Sequence, residues 1–147
     1  MIGTTLHEGH GAGALLVLHE AVSLWGGTEV ATGRIVDEHH PQRGALTAGR
    51  VVAMPGVRGS SSSATVLAEQ LRRGVGPAAI LLRELDAILV LGAIVAYELY
   101  ARQMPIVVLR AVDYDALPGT GTAVVSASPG HGRVVITPTP TGERATS

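Results

Sequence analysis

The sequence predicts a single α/β domain in which β-rich terminal segments flank a central βαβαβ unit. Short apolar runs alternate with amphipathic runs through the middle of the chain, which is typical of strands alternating with helices. Turn-forming residues punctuate the flanking segments, and no repeat or long linker divides the 147 residues. We expect the domain to span residues 11–137, after a flexible N-terminus (1–10) and before a disordered tail (138–147).

The N-terminal third predicts short strands and loops. Residues 1–10 are polar and rich in glycine, so a frayed start is expected before a first strand at 12–19. Residues 20–48 contain many Gly, Pro and Thr residues around short apolar pieces, which disfavours a helix there.

The central unit begins at a buried-strand pattern, and its boundaries have clear breakers. Pro55-Gly56 ends the first central strand, Gly74 ends the helix that follows, and Pro105 precedes the third strand. This βαβαβ order predicts three parallel strands. From residue 50 onward the predicted elements are a strand at 50–54, a helix at 65–73, a strand at 78–82, a helix at 87–102, and strands at 106–109, 122–127 and 133–137.

Composition excludes several classes of function. With no Cys, the chain by itself forms no disulfide, thiolate zinc site, cysteine nucleophile or iron–sulfur cluster. Eleven basic and twelve acidic residues give a net charge of -1, so nucleic acid and anionic membranes are not expected as partners. The longest apolar stretch, 87–97, is too short to span a bilayer, and we expect a cytoplasmic protein. A mean hydropathy of +0.33 with only 16% charged residues suggests an apolar face for another subunit.

A run of four serines after Gly59 is the most suggestive chemical feature. It lies between a predicted buried strand and a predicted helix, where unpaired backbone N–H groups and the helix dipole favour an anion. Arg58 adds a positive charge beside it. The same residues would also be selected for helix capping alone, so a purely structural role stays open. The spacing fits neither a Walker motif nor the Gly-x-Ser-x-Gly elbow of a hydrolase.

Other candidates are weaker. Trp25, before Gly26-Gly27, is expected in the core, with a contact at a tight turn as the alternative. His39 and His40 are adjacent and so cannot chelate one ion together. His40 is expected to be a loop residue, with substrate or interface contact as the alternative, and no metal site is predicted.

The order of motifs resembles the small, swivelling subunit of the aconitase X family over residues 11–110. The matching segments are Ser23-Leu-Trp-Gly-Gly27, Thr32-Gly-Arg-Ile35, Asp37, His40-Pro41, Gly44, Gly49-Arg-Val-Val52, Pro55, Arg58-Gly-Ser-Ser61, Val66-Leu67, Glu69, Arg73-Gly74, Pro77-Ala-Ala-Ile80, Gly92-Ala-Ile-Val-Ala96 and Glu98-Leu-Tyr100.

The resemblance implies a swivelling β/β/α-type domain that acts as the small subunit of a heteromeric dehydratase. Family members eliminate water from cis-3-hydroxy-L-proline or mevalonate 5-phosphate. The large subunit carries the iron–sulfur cluster, so this chain would hold no cofactor and would be inactive alone. Ser60 would be the catalytic proton acceptor. The residues expected to bind the anionic substrate are Arg58, Gly59, Ser61 and Ser62, with Trp25, Gly26, Gly27 and His40 as further candidates.

The chain departs from the family loop at two positions. The family pattern has Gly and then Ser where this sequence has Ser63 and Ala64. The alternative function is a non-catalytic swivel module that binds a small anion or a protein partner.

Overall fold

A computed structural model describes residues 1–56 and 62–139. These residues form a closed β-barrel in the strand order β1-β5-β4-β3-β2-β6-β7. Two longer helices cover one side of it. The elements are β1 (Ile2–His7), β2 (Gly9–Val17), α1 (Leu24–Gly27), β3 (Val51–Met54), α2 (Ser62–Arg73), β4 (Ala79–Leu82), α3 (Ala87–Tyr100), β5 (Ile106–Val108), α4 (Ala111–Asp115), β6 (Thr122–Ser128) and β7 (His131–Thr137).

The central unit agrees with the sequence. Its elements follow the order β3–α2–β4–α3–β5, and β4 pairs in parallel with both β3 and β5. The side chain of Asp86 accepts hydrogen bonds from the backbone N–H groups of Ile88 and Leu89, and so caps the first turn of α3. At the other end, α3 ends at Tyr100, two residues before the predicted boundary, and Ala101 after it adopts the left-handed conformation.

The expected frayed N-terminus is wrong. Residues 2–7 form β1, which pairs antiparallel with β5 and β7 and thereby closes the barrel. Of the six residues of β1, only Ile2 and Leu6 are large and apolar, and the strand is only part-buried. Its stability comes from pairing on both edges, which a local sequence pattern does not reveal. Of the predicted tail, only Pro138 and Thr139 fall within the described residues.

Side chains of the parallel strands alternate between two cores. Val51, Ala53, Ala79 and Leu81 point into the barrel, whereas their neighbours Val52, Met54, Ile80 and Leu82 pack under α2 and α3. This alternation is the two-residue period of a strand buried on both faces. The same alternation, continued past the end of each strand, determines which side chains point into the mouth of the barrel.

Small residues let the strands converge. A Cβ at Gly13 would lie 2.3 Å from the carbonyl oxygen of Gly49, so β2 passes the start of β3 only because this position lacks a side chain. The interior of the barrel is likewise lined by several alanines. The small side chains that fill the barrel therefore come from segments far apart in the sequence.

Candidate functional site

The carboxyl ends of β2, β3 and β4 lie at one mouth of the barrel. These three strands run parallel, with Val17, Ala53 and Leu81 in register across them. Ligands in α/β sheets commonly bind at such an edge, because connecting loops and helix N-termini gather there. Pro55 and Gly56 leave β3 at this mouth and lead toward the serine loop.

Most of the residues predicted for catalysis and anion binding lie outside the described residues. These are Arg58, Gly59, Ser60 and Ser61. Ser62 is described, and it is the exposed first residue of α2. The loop thus connects the carboxyl end of β3 to the N-terminus of a twelve-residue helix, as the sequence predicts.

Ser63, the first departure from the family loop, lies inside the fold. It is fully buried in the first turn of α2, and its Oγ accepts a hydrogen bond from the backbone N–H of Trp25 at 3.5 Å. Ala64, the second departure, is also buried. Both side chains therefore pack against neighbouring elements instead of facing the solvent at the mouth.

Trp25 is not in the core, contrary to the expectation. Its side chain is 65% exposed, because the chain turns sharply at Gly26, whose φ is +82°. The backbone of Trp25 is held by Ser63 on one side and by Ser23 Oγ, which donates to its carbonyl at 2.8 Å, on the other. The turn Trp25–Gly27 therefore lies beside the start of α2, with the indole ring directed outward.

His40 holds a loop against the end of β2. It is buried, its Nδ1 accepts a hydrogen bond from the backbone N–H of Gln42 at 3.0 Å, and its Nε2 therefore donates to the carbonyl of Glu20 at 3.1 Å. With both ring nitrogens bonded to backbone, the imidazole has a structural role in this conformation.

Gln42 is a structural residue that the sequence did not indicate. Its side-chain oxygen accepts from the His19 N–H at 2.8 Å, and its side-chain nitrogen donates to the Val17 carbonyl at 2.7 Å. The amide thus pairs with the end of β2 as a neighbouring strand would. A lone Gln in a loop has no local signal for this role.

A cavity of about 880 Å³ extends from this mouth along β2 to Arg50, at the start of β3. Arg83 follows β4 on the face that points into the barrel, and its guanidinium pairs with Asp115 through Nε–Oδ1 (3.0 Å) and Nη2–Oδ2 (3.2 Å). The lining described here includes Leu15, Val17, His19, Gln42, Arg50, Pro55, Arg83, Tyr114, Asp115 and Leu117.

Hydrogen bonding and burial shift the pKa values of two residues that line this cavity. The hydrogen bonds from Arg83 lower the pKa of the Asp115 carboxyl, so this group is ionised throughout the neutral range. Burial, with a smaller contribution from the Asp115 charge, raises the pKa of Tyr114 to about 12. The phenol therefore stays protonated at neutral pH, where it can donate a hydrogen bond but cannot act as a base.

Sequence reasoning missed Arg83, Tyr114 and Asp115. Tyr114 and Asp115 lie in α4, a short helix that the sequence did not predict. The sequence did contain a signal for Arg83. Every second side chain from Ala79 points into the barrel, and Arg83 is the next in that series after Leu81. Within the described ranges, no three His, Cys, Asp or Glu side chains gather where they could hold a metal ion, and no helix is long and apolar enough to cross a membrane.

Comparison with known proteins gives consistent matches. Residues 1–140 match the family model of the aconitase X swivel domain. The chain is 46% identical over 109 residues to a cis-3-hydroxy-L-proline dehydratase of Pseudomonas aeruginosa, which covers 74% of this chain but only 19% of that protein. It is 35% identical over 91 residues to a phosphomevalonate dehydratase small subunit of Methanothermobacter thermautotrophicus, covering 62% of this chain and 70% of the subunit.

The chain thus spans about a fifth of the length of the Pseudomonas relative, and of a second cis-3-hydroxy-L-proline dehydratase from Hypocrea jecorina. A solved structure of aconitase X from Thermococcus kodakaraensis, in its holo-form, superposes with a TM-score of 0.76 at 26% identity, covering 90% of this chain and 95% of that one. The family match over nearly the whole sequence and the shared fold agree, and the chain belongs to the aconitase X swivel-domain family.

Proposed function

We propose that this chain is the small subunit of a cytoplasmic, heteromeric hydro-lyase that eliminates water from a small hydroxy acid such as cis-3-hydroxy-L-proline or mevalonate 5-phosphate. The observation that carries the proposal is the family match over residues 1–140, since relatives with such a domain are named as dehydratases of these two kinds. The chain covers most of a separate small subunit but only a fifth of the single-chain enzymes.

In this proposal, Ser60 takes the proton from the carbon next to the acid group while the hydroxyl leaves, so that the products are an alkene and water. A serine hydroxyl is a weak base at neutral pH and acts as one only where its alkoxide is stabilised. Its position, two residues before α2 begins, favours that stabilisation, because the first N–H groups of a helix carry partial positive charge. Arg58, Gly59, Ser61 and Ser62 would bind the substrate anion beside it.

The iron–sulfur cluster of such an enzyme would belong to a large subunit. This chain has no Cys to ligate iron, and its described residues hold no other group of metal ligands. The cluster therefore does not fit this chain, and assistance to the leaving hydroxyl has to come from the partner. An isolated small subunit is then expected to be inactive.

The outer surface of α3 supports the presence of a partner. This helix carries one charged residue, Glu98, in fourteen, and its exposed side includes Leu91, Ile94 and Leu99, the last at 67% exposure. Apolar grooves lie on both sides of it, toward Leu6 and toward α2. Since relatives carry four-fifths of their length outside the matched region, that remainder, or the separate large subunit, is the occupant we propose for this face.

The test is an activity assay of the reconstituted pair. The chain is co-expressed with the large subunit encoded beside it, and dehydration of both substrates is followed for wild type, Ser60→Ala and Ser128→Ala. We expect Ser60→Ala to lower kcat on the order of 10²- to 10⁴-fold at similar KM, because it removes the proton acceptor. Ser128→Ala, in the exposed end of β6, should match wild type.

Two outcomes would count against the proposal in different ways. Wild-type rates in Ser60→Ala would exclude this serine as the base while leaving the dehydratase assignment in place. No dehydration of either substrate by the wild-type pair would favour the non-catalytic swivel module instead.

A further inference from the structure

The mouth of the barrel holds an arginine that no part of the proposed mechanism uses. Arg83 lies one residue beyond β4, on the face that Ala79 and Leu81 direct into the barrel, and its side chain lines the 880 Å³ cavity. Pro55, from which the chain continues toward the serine loop, lines the same cavity. Arg83 and the described residues that lead into the serine loop therefore leave the sheet at the same edge.

The guanidinium of Arg83 is held in one orientation, but not all of its N–H groups form hydrogen bonds with described residues. Asp115 binds Nε and Nη2, which fixes the plane of the group. Within the described part of the chain, Nη1 donates no hydrogen bond, so its two N–H groups remain available. An arginine held this way by a carboxylate is prepared to bind a second anion, since its orientation costs little further entropy.

Tyr114 gives independent support for a ligand in this place. It also lines the cavity, only 8% of it is exposed, and its hydroxyl has no hydrogen-bond partner among residues 1–56 and 62–139. Buried hydroxyls are nearly always bonded, so this hydroxyl lacks an acceptor among the described residues, and a ligand in the cavity is one source of it. An anion supplies that acceptor, because the Tyr114 phenol is a donor at neutral pH.

The net charge of the described lining favours an anion as well. Arg50 lines the cavity and forms no ion pair with any described residue, only hydrogen bonds of 3.5 Å to the carbonyls of Leu46 and Leu15. Arg50 precedes β3, at the opposite end of that strand from Pro55, so the two arginines outnumber the single carboxylate, Asp115, over the cavity as a whole and not at the mouth alone. The cavity thus combines excess positive charge with free donors.

We propose that Arg83 binds a carboxylate or phosphate group of the substrate in the barrel mouth, with Tyr114 as a second donor. This inference rests on the proposed function and assigns to the small subunit a substrate-binding residue outside the serine loop. Arg83 would thus add donors, from the end of the neighbouring strand β4, to the anion binding proposed for the serine loop.

The experiment compares Arg83→Gln, Arg83→Lys and Asp115→Asn in the reconstituted pair. Loss of a charge-assisted hydrogen bond to the substrate predicts that Arg83→Gln raises KM about 10- to 100-fold with a smaller change in kcat. Arg83→Lys keeps the positive charge but lacks the planar pair of donors, so it should bind substrate more tightly than Arg83→Gln and less tightly than wild type. Asp115→Asn leaves the guanidinium present and should raise KM less than Arg83→Gln does.

Calorimetric titration of the same complexes with L-proline and with inorganic phosphate makes the test independent of turnover. Weaker binding of L-proline in Arg83→Gln identifies a carboxylate subsite, and weaker binding of phosphate identifies a phosphate subsite. Either result supports the inference even if dehydration fails, which would count only against the proposed function. Unchanged KM and unchanged titrations in Arg83→Gln, equal effects of Arg83→Gln and Asp115→Asn, or no binding of either probe to the wild-type pair would overturn it.

Discussion

His39 and His40 are neighbours with opposite environments. His39 is exposed, and among the described residues its backbone N–H alone is bonded, to the side chain of Asp37. His40 is buried, and its ring connects the backbone at Glu20 to the backbone at Gln42. Two identical side chains therefore differ in role because one turn of the loop directs them to different sides.

Replacing these histidines one at a time gives a matched prediction. His40→Ala leaves a carbonyl and an N–H group without partners, so we expect a loss of about 1–3 kcal/mol in the free energy of unfolding. His39→Ala should change it by no more than about 0.5 kcal/mol, as is usual for an exposed residue. Urea unfolding of the full chain measures both, and equal values would show that the His40 ring is not a structural connection.

Gly92 sets the distance between α2 and α3. A Cβ at this position would lie 2.9 Å from the carbonyl oxygen of Ala64 and 3.1 Å from the side chain of Leu67. Ala64 lies in the first turn of α2, directly after the serine loop. The packing of the two helices thereby determines where the start of α2 stands relative to the mouth.

We expect Gly92→Ala to destabilise the protein, although alanine is the better helix former by about 1 kcal/mol. The clash with a backbone carbonyl should cost about 1–3 kcal/mol, because α2 has to move away from α3. Gly119→Ala is the control, since a Cβ there meets no atom within 4 Å. Thermal unfolding compares the two; a higher Tm for Gly92→Ala would contradict the close contact.

In the proposed function, the apolar surface of α3 is the face that meets the large subunit. Leu91 lies between the two grooves beside this helix and is 48% exposed. We expect Leu91→Asp to weaken association with the large subunit at least tenfold, because the charge would be buried without a partner at the interface.

The control is Val135→Asp, which places the same charge on β7, where the side chain is 51% exposed and lines neither of the grooves beside α3. Size-exclusion chromatography of the co-expressed pair measures association, and circular dichroism of each variant checks folding. Normal assembly of Leu91→Asp would exclude this face. If the small subunit associates with itself and Leu91→Asp abolishes this association, the occupant of the face is a second copy of the chain.

The central elements could be predicted because their signals are local. The breakers Pro55-Gly56, Gly74 and Pro105 mark strand and helix ends, and apolar periodicity marks what lies between them. β1 and α4 could not be predicted, since β1 depends on pairing with β5 and β7, and α4 is a single short turn. The exposure of Trp25 could not be predicted either, because it follows from the turn at Gly26 beside α2.

By itself, the sequence determined the α/β class, the parallel βαβαβ centre, the loop between β3 and α2, and the family, all of which depend on residue order along short segments. Only the tertiary structure decided that the strands close into a barrel, that His40 and Gln42 hold the end of β2, and that Arg83, Asp115 and Tyr114 meet at its mouth. The reason is that these contacts join residues about 20 to more than 100 positions apart, and their free energy depends on the geometry that brings them together.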